Sequence, residues 1–296
     1  MDDIQNIKLY NLFRTDKKEE GTNFFISAIE KKYITTESMS ECDYILYNSP
    51  TDSNSNNQFS KLKDLGKPII ILWDTDSEIP FSNKNIEFLL FRTSLLKSKK
   101  LNNEWVLPSH LNYSWTKYDT PSAWNFSEYY SDIPSIGFCG SNEHQARKKV
   151  MSFLEKDDSI NFDLVRRHTF FKAFSCNEEK YKHHRQQYFN TLKTNAFSLC
   201  IRGAGNWSIR FYETMKLGRI PVLLDTDTEL PFNDLIDWND IIIFEKDAPS
   251  LINKMKEWNS MGSDFIFDKQ KKCHEIWKKY LSHDGFAENF PHYLKI

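Results

Sequence analysis

The sequence predicts an α/β protein made of two Rossmann-like αβα lobes whose parallel sheets face each other across a cleft. Short apolar segments alternate with stretches of helical or loop length, as they do when helices cover the faces of a parallel sheet. These segments form two sets, separated at residues 113–134 by a stretch rich in Tyr, Trp, Ser and Pro. With 296 residues, of which 40% are hydrophobic, the chain is long enough to bury two modest cores.

The first set of apolar segments predicts an N-terminal lobe. Its strands are expected at residues 7–10, 44–47, 68–73 and 87–92. A helix is expected to end at residue 65, because Gly66 follows as a stop signal. We place this lobe at residues 1–130 and expect residues 276–296 to pack back on it.

The second set predicts a C-terminal lobe at residues 131–275. Its strands are expected at residues 135–138, 162–165, 197–201, 220–224 and 240–244. Residues 145–154 have the apolar spacing of an amphipathic helix, and residues 269–281 also predict a helix. The highly charged stretch 177–187, which contains His183 and His184, predicts a helix on the surface.

The composition argues against several classes of protein. The net charge is −2 and the 27% of charged residues are of both signs, so nothing indicates a surface for nucleic acid. The five cysteines are widely spaced and form no CxxC pair, which favours reduced thiols. The first residues lack the pattern of a signal peptide, and no apolar run reaches the length of a membrane span. We therefore expect a cytoplasmic protein without a transmembrane segment, with peripheral membrane contact left open.

Residues 197–244 carry most of the functional information. They predict a strand, a small-residue loop, a short helix, a second strand, an acidic loop and a third strand. The loop Arg202-Gly203-Ala204-Gly205-Asn206 lets backbone amides approach an anion closely. Ser208 is a good N-cap for a helix over residues 209–217, and Gly218 supplies its C-terminal stop.

Arg210 and Glu213 lie one helical turn apart directly after this loop. Arg210, in the first turn, can make a bidentate charge-assisted contact with phosphate. Glu213, about 5.4 Å further along the helix axis, can accept hydrogen bonds from the ribose hydroxyls of the same nucleotide. The alternative is an ordinary i,i+3 surface pair worth about 0.2–0.5 kcal/mol, which the loop and flanking strands make the weaker interpretation. A dinucleotide site is less well supported, because the third glycine of that motif is missing.

The same segment resembles the exostosin family, glycosyltransferase family 47. The shared features in the sequence are Arg202-Gly203, the run from Ser208 to Glu213 and the run from Gly218 to Val222. The most specific part is Glu229-Leu230-Pro231-Phe232 followed by Ile236-Asp237-Trp238. Upstream, the run from Gly137 to Gly140, followed by Arg147, resembles the strand, turn and first helix of the family's nucleotide lobe. The first half of the chain resembles the family only through Trp105-Val106-Leu107-Pro108.

This resemblance implies a GT-B fold, with the nucleotide-sugar donor in the C-terminal lobe and a glycan acceptor mostly against the N-terminal one. It also implies inversion at the anomeric carbon without a GT-A-type metal site, and it makes UDP the default nucleotide. Family members are commonly Golgi membrane proteins, whereas this sequence resembles a trimmed relative that a microbe or virus could use to build surface polysaccharide. The expected donor-binding residues are Gly140, Arg147, Arg202, Gly203, Asn206, Ser208, Arg210 and Glu213.

Two acidic loops repeat one pattern. Residues 72–81 (LWDTDSEIPF) parallel residues 223–232 (LLDTDTELPF), and each follows an apolar strand. For Asp225 and Asp227 we favour capping of the following turn over metal binding. Asp74 and Asp76 are the candidate catalytic residues, because an inverting transferase needs an acid on the acceptor lobe.

The predicted reaction is a single in-line displacement. A carboxylate takes the proton of the acceptor hydroxyl while that oxygen attacks the anomeric carbon. The helix dipole, loop amides and arginines stabilise the leaving diphosphate, so that no metal cofactor is expected. Glu78, Glu104 and His110 are alternatives for the base. Arg166 and Arg167 are candidates for further phosphate contacts, and Trp115 and Trp124 are candidates for stacking on an acceptor sugar.

Two other functions stay open. A metal-dependent transferase that uses an Asp-x-Asp would require Mn²⁺ or Mg²⁺. A non-catalytic nucleotide-sugar-binding subunit of a heteromeric synthase would hold the donor through Arg210 and Glu213 without transferring the sugar.

Overall fold

A computed structural model describes residues 7–12, 23–49, 65–79, 87–108, 128–141, 144–167 and 178–294. The chain divides into two compact units. Unit 1 comprises Met1–His110, Asp227–Phe232 and Lys279–Ile296, and unit 2 comprises Leu111–Thr226 and Asn233–Lys278. Most of the connecting region expected at residues 113–134 lies outside the described residues, as do His110, Trp115, Trp124 and nearly all of the helix expected before Gly66. Within the described ranges, no helix is both long enough and apolar enough to cross a bilayer.

Unit 1 contains one parallel sheet of six strands, in the order β2-β1-β3-β4-β5-β6. Its strands are β1 (Lys8–Asn11), β2 (Ile34–Thr35), β3 (Tyr44–Ser49), β4 (Ile69–Trp73), β5 (Phe88–Arg92) and β6 (Glu104–Val106). Its described helices are α1 (Asn23–Lys32) and α8 (His283–Asn289), with 3₁₀ turns at Met39–Glu41, Lys97–Lys99 and Phe290–Tyr293. All five residues of β4 are buried, as expected for an apolar run inside a parallel sheet.

Unit 2 contains a second parallel sheet, of five strands in the order β11-β10-β9-β7-β8. Its strands are β7 (Ser135–Ser141), β8 (Asn161–Arg167), β9 (Phe197–Leu199), β10 (Ile220–Leu224) and β11 (Ile243–Glu245). Its described helices are α2 (Gln145–Leu154), α3 (Glu178–Lys193), α4 (Ile209–Lys216), α5 (Trp238–Ile241), α6 (Ala248–Ser260) and α7 (Ser263–Ile276). A π-helical turn, Trp277–Leu281, follows α7.

The C-terminal helix α8 packs within unit 1. The Tyr33 hydroxyl donates to the Ala287 carbonyl oxygen over 2.7 Å, and the Phe286 ring meets the Phe91 ring edge-on at 5.6 Å. The segment Asp227–Phe232 belongs to the same core, because the Phe232 ring stacks on the Tyr293 ring at 5.7 Å. Aromatic contacts therefore join parts of unit 1 that are far apart in the sequence.

Helix α3 packs very closely on strand β7 in unit 2. A Cβ atom at Gly137 would lie 2.3 Å from the Thr191 carbonyl oxygen and 2.9 Å from Asn195 Nδ2. No real Cβ atom tolerates such distances, so only glycine permits this approach of helix to strand. The approach fixes the position of α3 over the sheet.

The structure confirms the α/β class and the predicted elements at residues 145–154 and 220–224. Two expectations are wrong. Residues 240–244 do not form one strand, because α5 occupies Trp238–Ile241 and β11 begins only at Ile243. The charged stretch at residues 177–187 does not lie wholly on the surface, because it begins the longer helix α3, one face of which is buried.

Candidate functional site

The strands β7 and β9 separate toward their carboxyl ends. Their pairing comprises Ile136 with Phe197 and Gly137 with Ser198. The strand order also reverses at this point, because β8 lies on one side of β7 and β10 lies on the far side of β9. In open parallel sheets, ligands bind in the crevice outside such a reversal. A ligand is therefore expected at the carboxyl ends of β7 and β9, and a donor-binding residue of unit 2 should lie near these strand ends.

Arg210 bridges the two separating strands. Its Nη1 donates to the Leu199 carbonyl oxygen over 3.3 Å and its Nη2 donates to the Cys139 carbonyl oxygen. The guanidinium also lies over the Phe138 ring, 4.2 Å from its centroid. Only 7% of the residue is exposed. In the described part of the chain, Nε of Arg210 has no hydrogen-bond partner and no carboxylate pairs with the guanidinium.

Arg147, from the first turn of α2, crosses the same gap further out. Its Nη1 donates to the Ser141 carbonyl oxygen over 3.0 Å, and its Nη2 donates to the Ile201 carbonyl oxygen over 3.1 Å. Its guanidinium lies 5.7 Å from the centroid of the Phe138 ring. Two cationic side chains thus share one aromatic ring at the carboxyl ends of β7 and β9.

Two of the predicted glycines lie directly against these arginines. A Cβ at Gly140 would lie 3.0 Å from Nη2 of Arg210, and a Cβ at Gly203 would lie 3.5 Å from Nη2 of Arg147. The first distance is tighter than an ordinary contact and the second is ordinary. Gly140 therefore gives the Arg210 guanidinium its space, whereas Gly203 does so less strictly.

The loop after β9 is held by its own side chains. Arg202 donates to Asn206 Oδ1 over 3.3 Å and to the Ala204 carbonyl oxygen over 3.1 Å. The Thr226 hydroxyl donates to the same Asn206 oxygen over 2.6 Å, and Asn206 is 1% exposed. The Gly203 amide donates to the Trp207 carbonyl oxygen over 3.2 Å. In this structure Asn206 organises the loop, and the Gly203 amide is engaged within it.

Helix α4 begins and ends as the sequence predicts. Ser208 occupies the N-cap position with extended backbone, although its side chain makes no capping hydrogen bond. At the other end Gly218 has a φ of 60°. Its amide donates to the Met215 carbonyl, and the Arg219 amide donates to the Thr214 carbonyl, which is the Schellman arrangement. These ends fix α4 in place, with Arg210 in its first turn.

Glu213 lies deeper than expected. The residue is 4% exposed, and Oε1 accepts a hydrogen bond from Nη2 of Arg185 over 2.9 Å. The Tyr188 hydroxyl donates to Oε2. Burial and the neighbouring Glu213 carboxylate raise the pKa of Tyr188 well above its usual value, so its hydroxyl stays protonated and acts as a donor. Glu213 is therefore not an exposed i,i+3 partner of Arg210.

The sequence interpretation missed Arg185, because it assigned residues 177–187 to the surface, and it gave no role to Tyr188, which follows that stretch directly. A signal was present in the spacing, since buried residues recur along α3 at intervals of four, three and four; they are Tyr181, Arg185, Tyr188 and Leu192. Tyr188 also faces Arg210, whose guanidinium lies 5.4 Å from the centroid of the tyrosine ring. Arg185, Arg210 and Glu213 thus all lie around the Tyr188 side chain.

The candidate catalytic acids lie in unit 1, directly after β4. Asp74 is partly buried, and burial raises its pKa to about 6 despite a hydrogen bond with Thr93. Asp76 is exposed. The Thr75 amide donates to the Thr93 hydroxyl over 2.8 Å, and that hydroxyl donates to the Thr75 carbonyl over 2.6 Å. The buried Arg92 donates to the carbonyl oxygens of Ser77 and Ile79. The acidic loop is thus fixed at its backbone.

The second acidic loop has different surroundings. The Asp227 carboxylate accepts hydrogen bonds from the amide and hydroxyl of Ser98, in the 3₁₀ turn Lys97–Lys99. The Asp225 amide donates to the Glu245 carbonyl oxygen over 2.7 Å. The turn that Asp227 caps is therefore not the following turn expected from the sequence, because Ser98 lies 129 positions earlier in the chain.

Three other candidates for the base or for phosphate contacts interact with other parts of the protein. Glu104 is fully buried, with Oε1 3.9 Å from Nη1 of Arg92. Arg166 is exposed and pairs with Glu155. Arg167 donates to the His184 carbonyl oxygen over 2.7 Å. Glu104 therefore lies inside the core of unit 1.

Two α/β units, each with one parallel sheet, define a protein of the Rossmann-like α/β class, and one of them carries two arginines at the reversal of its strand order. The family model for the exostosin GT47 domain matches residues 102–258, and the chain belongs to this family. That match includes β7 to β11 and all the candidate residues of unit 2. The family and the two parallel sheets together give the GT-B class that the sequence predicted.

Relatives with curated descriptions share shorter segments. Exostosin-1c of Danio rerio is 31% identical over 111 residues, which cover 38% of this chain and 15% of that protein. The probable glucuronosyltransferase GUT1 of Oryza sativa subsp. japonica is 40% identical over 70 residues, covering 23% of this chain and 17% of that protein. A solved glycosyltransferase from Rickettsia africae is 10% identical with a TM-score of 0.48, covering 98% of this chain and 99% of that one. The chain thus spans less than a quarter of the two curated relatives.

Proposed function

We propose that the protein is an inverting glycosyltransferase that moves a sugar from a nucleoside-diphosphate donor, with UDP as the first choice, to a hydroxyl group of a glycan acceptor. The family to which the chain belongs supports transfer of a sugar, and a plant relative is described as a glucuronosyltransferase. A role in building surface polysaccharide or another glycan is part of the same proposal. So is a cytoplasmic location, which the free and buried thiols of Cys42, Cys139, Cys200 and Cys273 support.

The state of Arg210 carries the proposal. Its guanidinium is buried, and its described hydrogen bonds go to backbone carbonyl oxygens. A buried charge without an opposite charge is costly, so this arrangement favours a bound anion at the carboxyl ends of β7 and β9. A diphosphate is an anion of matching chemistry, and arginine binds phosphate oxygens bidentately. Arg147 lies over the same Phe138 ring and supplies a second positive charge.

The other predicted donor residues have distinct parts in this proposal. Gly140 and Gly203 leave room for the two arginines, while Arg202 and Asn206 hold the loop in shape. Ser208 begins helix α4, whose N-terminal end favours negative charge. Glu213 already accepts two hydrogen bonds, but a carboxylate has about four acceptor positions. We assign its remaining positions to the ribose hydroxyls.

In the proposed reaction, Asp74 takes the proton of the acceptor hydroxyl as that oxygen forms a bond with the anomeric carbon. The bond between the anomeric carbon and the diphosphate oxygen breaks, and its electron pair leaves with the nucleoside diphosphate. Arg210 and Arg147 stabilise the added negative charge in place of a metal. A pKa of about 6 leaves Asp74 ionised at neutral pH and a stronger base than an ordinary aspartate. Asp76 is the second choice for this role.

The test is calorimetric titration of the full chain with UDP, GDP, CMP and ADP, each with EDTA and with Mn²⁺. We expect one nucleoside diphosphate to bind in EDTA, and Arg210→Ala to weaken that binding by roughly 10- to 100-fold, the effect of losing a hydrogen bond to a charged group. Arg219→Ala is the matched control. Arg219 is also buried and also donates to backbone carbonyls, but it precedes β10 at the opposite edge of the sheet.

Each other result has a defined meaning. Binding only with Mn²⁺, unaffected by Arg210→Ala, would favour the metal-dependent alternative and the acidic loops. Metal-independent binding with no release of nucleotide from any donor sugar, across a panel of glycan acceptors, would favour a binding subunit. If no nucleotide binds in either condition, the donor site is not at Arg210.

A further inference from the structure

Helix α3 presents two polar side chains to the proposed donor site. Arg185 and Tyr188 are buried, although the helix around them is highly charged. None of the segments that carry the family resemblance, upstream of α3 or from the glycine-containing loop onward, includes these two residues. Their contacts nevertheless converge on Glu213, which we assign to the ribose.

The contacts around Glu213 leave little freedom to its side chain. One carboxylate oxygen lies 2.9 Å from Nη2 of Arg185, with 8% and 5% of the two side chains exposed. The other oxygen accepts from the Tyr188 hydroxyl. The Arg185 guanidinium is itself held over two rings, 4.9 Å from the centroid of Tyr188 and 4.5 Å from that of Phe189. The carboxylate is thus fixed on both oxygens by partners that are themselves fixed.

This pairing also decides where Glu213 can accept further hydrogen bonds. A carboxylate has about four acceptor positions, and Arg185 and Tyr188 take one on each oxygen. Two ribose hydroxyls would donate to the positions that remain, so the orientation of the carboxylate sets its ability to bind them. Tyr188 joins this network to Arg210, which lies 5.4 Å from the tyrosine ring.

We propose that Arg185 and Tyr188 are positioning residues of the donor site, which hold the Glu213 carboxylate oriented so that its remaining acceptor positions meet the ribose hydroxyls. The inference rests on the proposed function, because it needs a nucleotide at Arg210. It goes further by making recognition of ribose depend on two side chains of α3 that act through Glu213. A purely structural role for the same residues predicts a different result, because loss of packing weakens binding of every nucleotide alike.

The distinguishing measurement compares a nucleoside diphosphate with its 2′-deoxy form. The pair used is the nucleotide that binds in the titrations above, for example UDP and 2′-deoxy-UDP. We expect the wild type to prefer the ribonucleotide by roughly tenfold or more, the value of one hydrogen bond to a charged acceptor. In Tyr188→Phe and Arg185→Met the preference should fall to below about threefold. Arg185→Lys, which keeps the charge, should recover part of it.

Lys182→Ala is the control, because Lys182 lies on the same helix, is 59% exposed and pairs with Glu178. Its preference for the ribonucleotide should match the wild type. Tyr188→Phe keeps the ring and its packing, so the test stands even where Arg185→Met does not fold. A wild type that binds no nucleotide would refute the proposed function itself. A wild type that binds and discriminates, with variants that keep the same discrimination, would overturn this inference and leave the donor site intact. A wild type without any preference would overturn the ribose role of Glu213 and this inference with it.

Discussion

Replacing Gly137 by alanine should destabilise unit 2 by forcing helix α3 away from strand β7. The added Cβ would lie 2.3 Å from a backbone oxygen, Thr191 O, which cannot rotate away as a side chain can. Carbon and oxygen atoms normally stay about 3.3 Å or more apart even in close contacts, so the helix must move by about 1 Å. Overpacking of this kind typically costs about 1–3 kcal/mol.

The assay is thermal and urea-induced unfolding of the full chain. In a domain of roughly 150–250 residues, each kcal/mol lowers Tm by about 2–4 °C, so a cost near 2 kcal/mol should lower it by about 6 °C. Gly203→Ala is the matched control, because its added Cβ would meet only Nη2 of Arg147 at an ordinary 3.5 Å. If Gly137→Ala unfolds at the same temperature and urea concentration as Gly203→Ala, the close approach of α3 to β7 is not a feature of the folded protein.

Three further predictions follow from single side chains. Gly140→Ala should displace the Arg210 guanidinium by a few tenths of an ångström and weaken nucleotide binding by roughly tenfold in calorimetry, with little change in Tm. The folded-state pKa of Asp74 is raised from 3.8 to about 6, so Asp74 contributes most stability below pH 4, and this is lost as the pH rises toward 6. Relative to wild type, Asp74→Asn should therefore gain up to about 3 kcal/mol of unfolding free energy between pH 4 and pH 7. If the difference in unfolding free energy between the two proteins is the same at both pH values, the Asp74 carboxyl is not buried as described. Asp227 has a φ of 66°, so Asp227→Val should cost about 2–3 kcal/mol in urea unfolding while Asp227→Asn costs less than about 1.

The sequence correctly predicted the elements in which the apolar spacing and the end signals indicate the same type of structure. The helix at Gln145–Leu154 and the strand at Ile220–Leu224 both have an unambiguous apolar pattern and clear end signals. The run after Asp237 does not, because a short apolar stretch fits a helix or a strand equally well. There the chain forms one turn of helix, Trp238–Ile241, before it enters β11.

The candidate site was predicted in part. The motif placed Arg210 correctly at the start of a helix after a glycine-containing loop. It did not predict the burial of Glu213, because the partner Arg185 lies 28 positions earlier on another helix. The two Asp-Thr-Asp loops show the same limit. Nearly identical residues follow β4 and β10, yet Asp227 caps a turn whereas Asp76, at the equivalent position, is exposed. Local sequence specifies the loop, but the packed neighbours decide what each carboxylate does.

Unit 1 is built from three separate stretches of the chain, and this affects where the chain can be cut and the order in which its units fold during synthesis. Residues Asp227–Phe232 and Lys279–Ile296 complete this unit, although the rest of it precedes residue 111. A fragment that stops near residue 110 or 130 would lack Phe232, Phe286 and their partners, and its apolar core would be open to water. On the ribosome, unit 2 has all its residues once Lys278 has emerged, whereas unit 1 still waits for its last helix. The half of the protein that is translated first is therefore the half that finishes folding last, contrary to the usual order of domains.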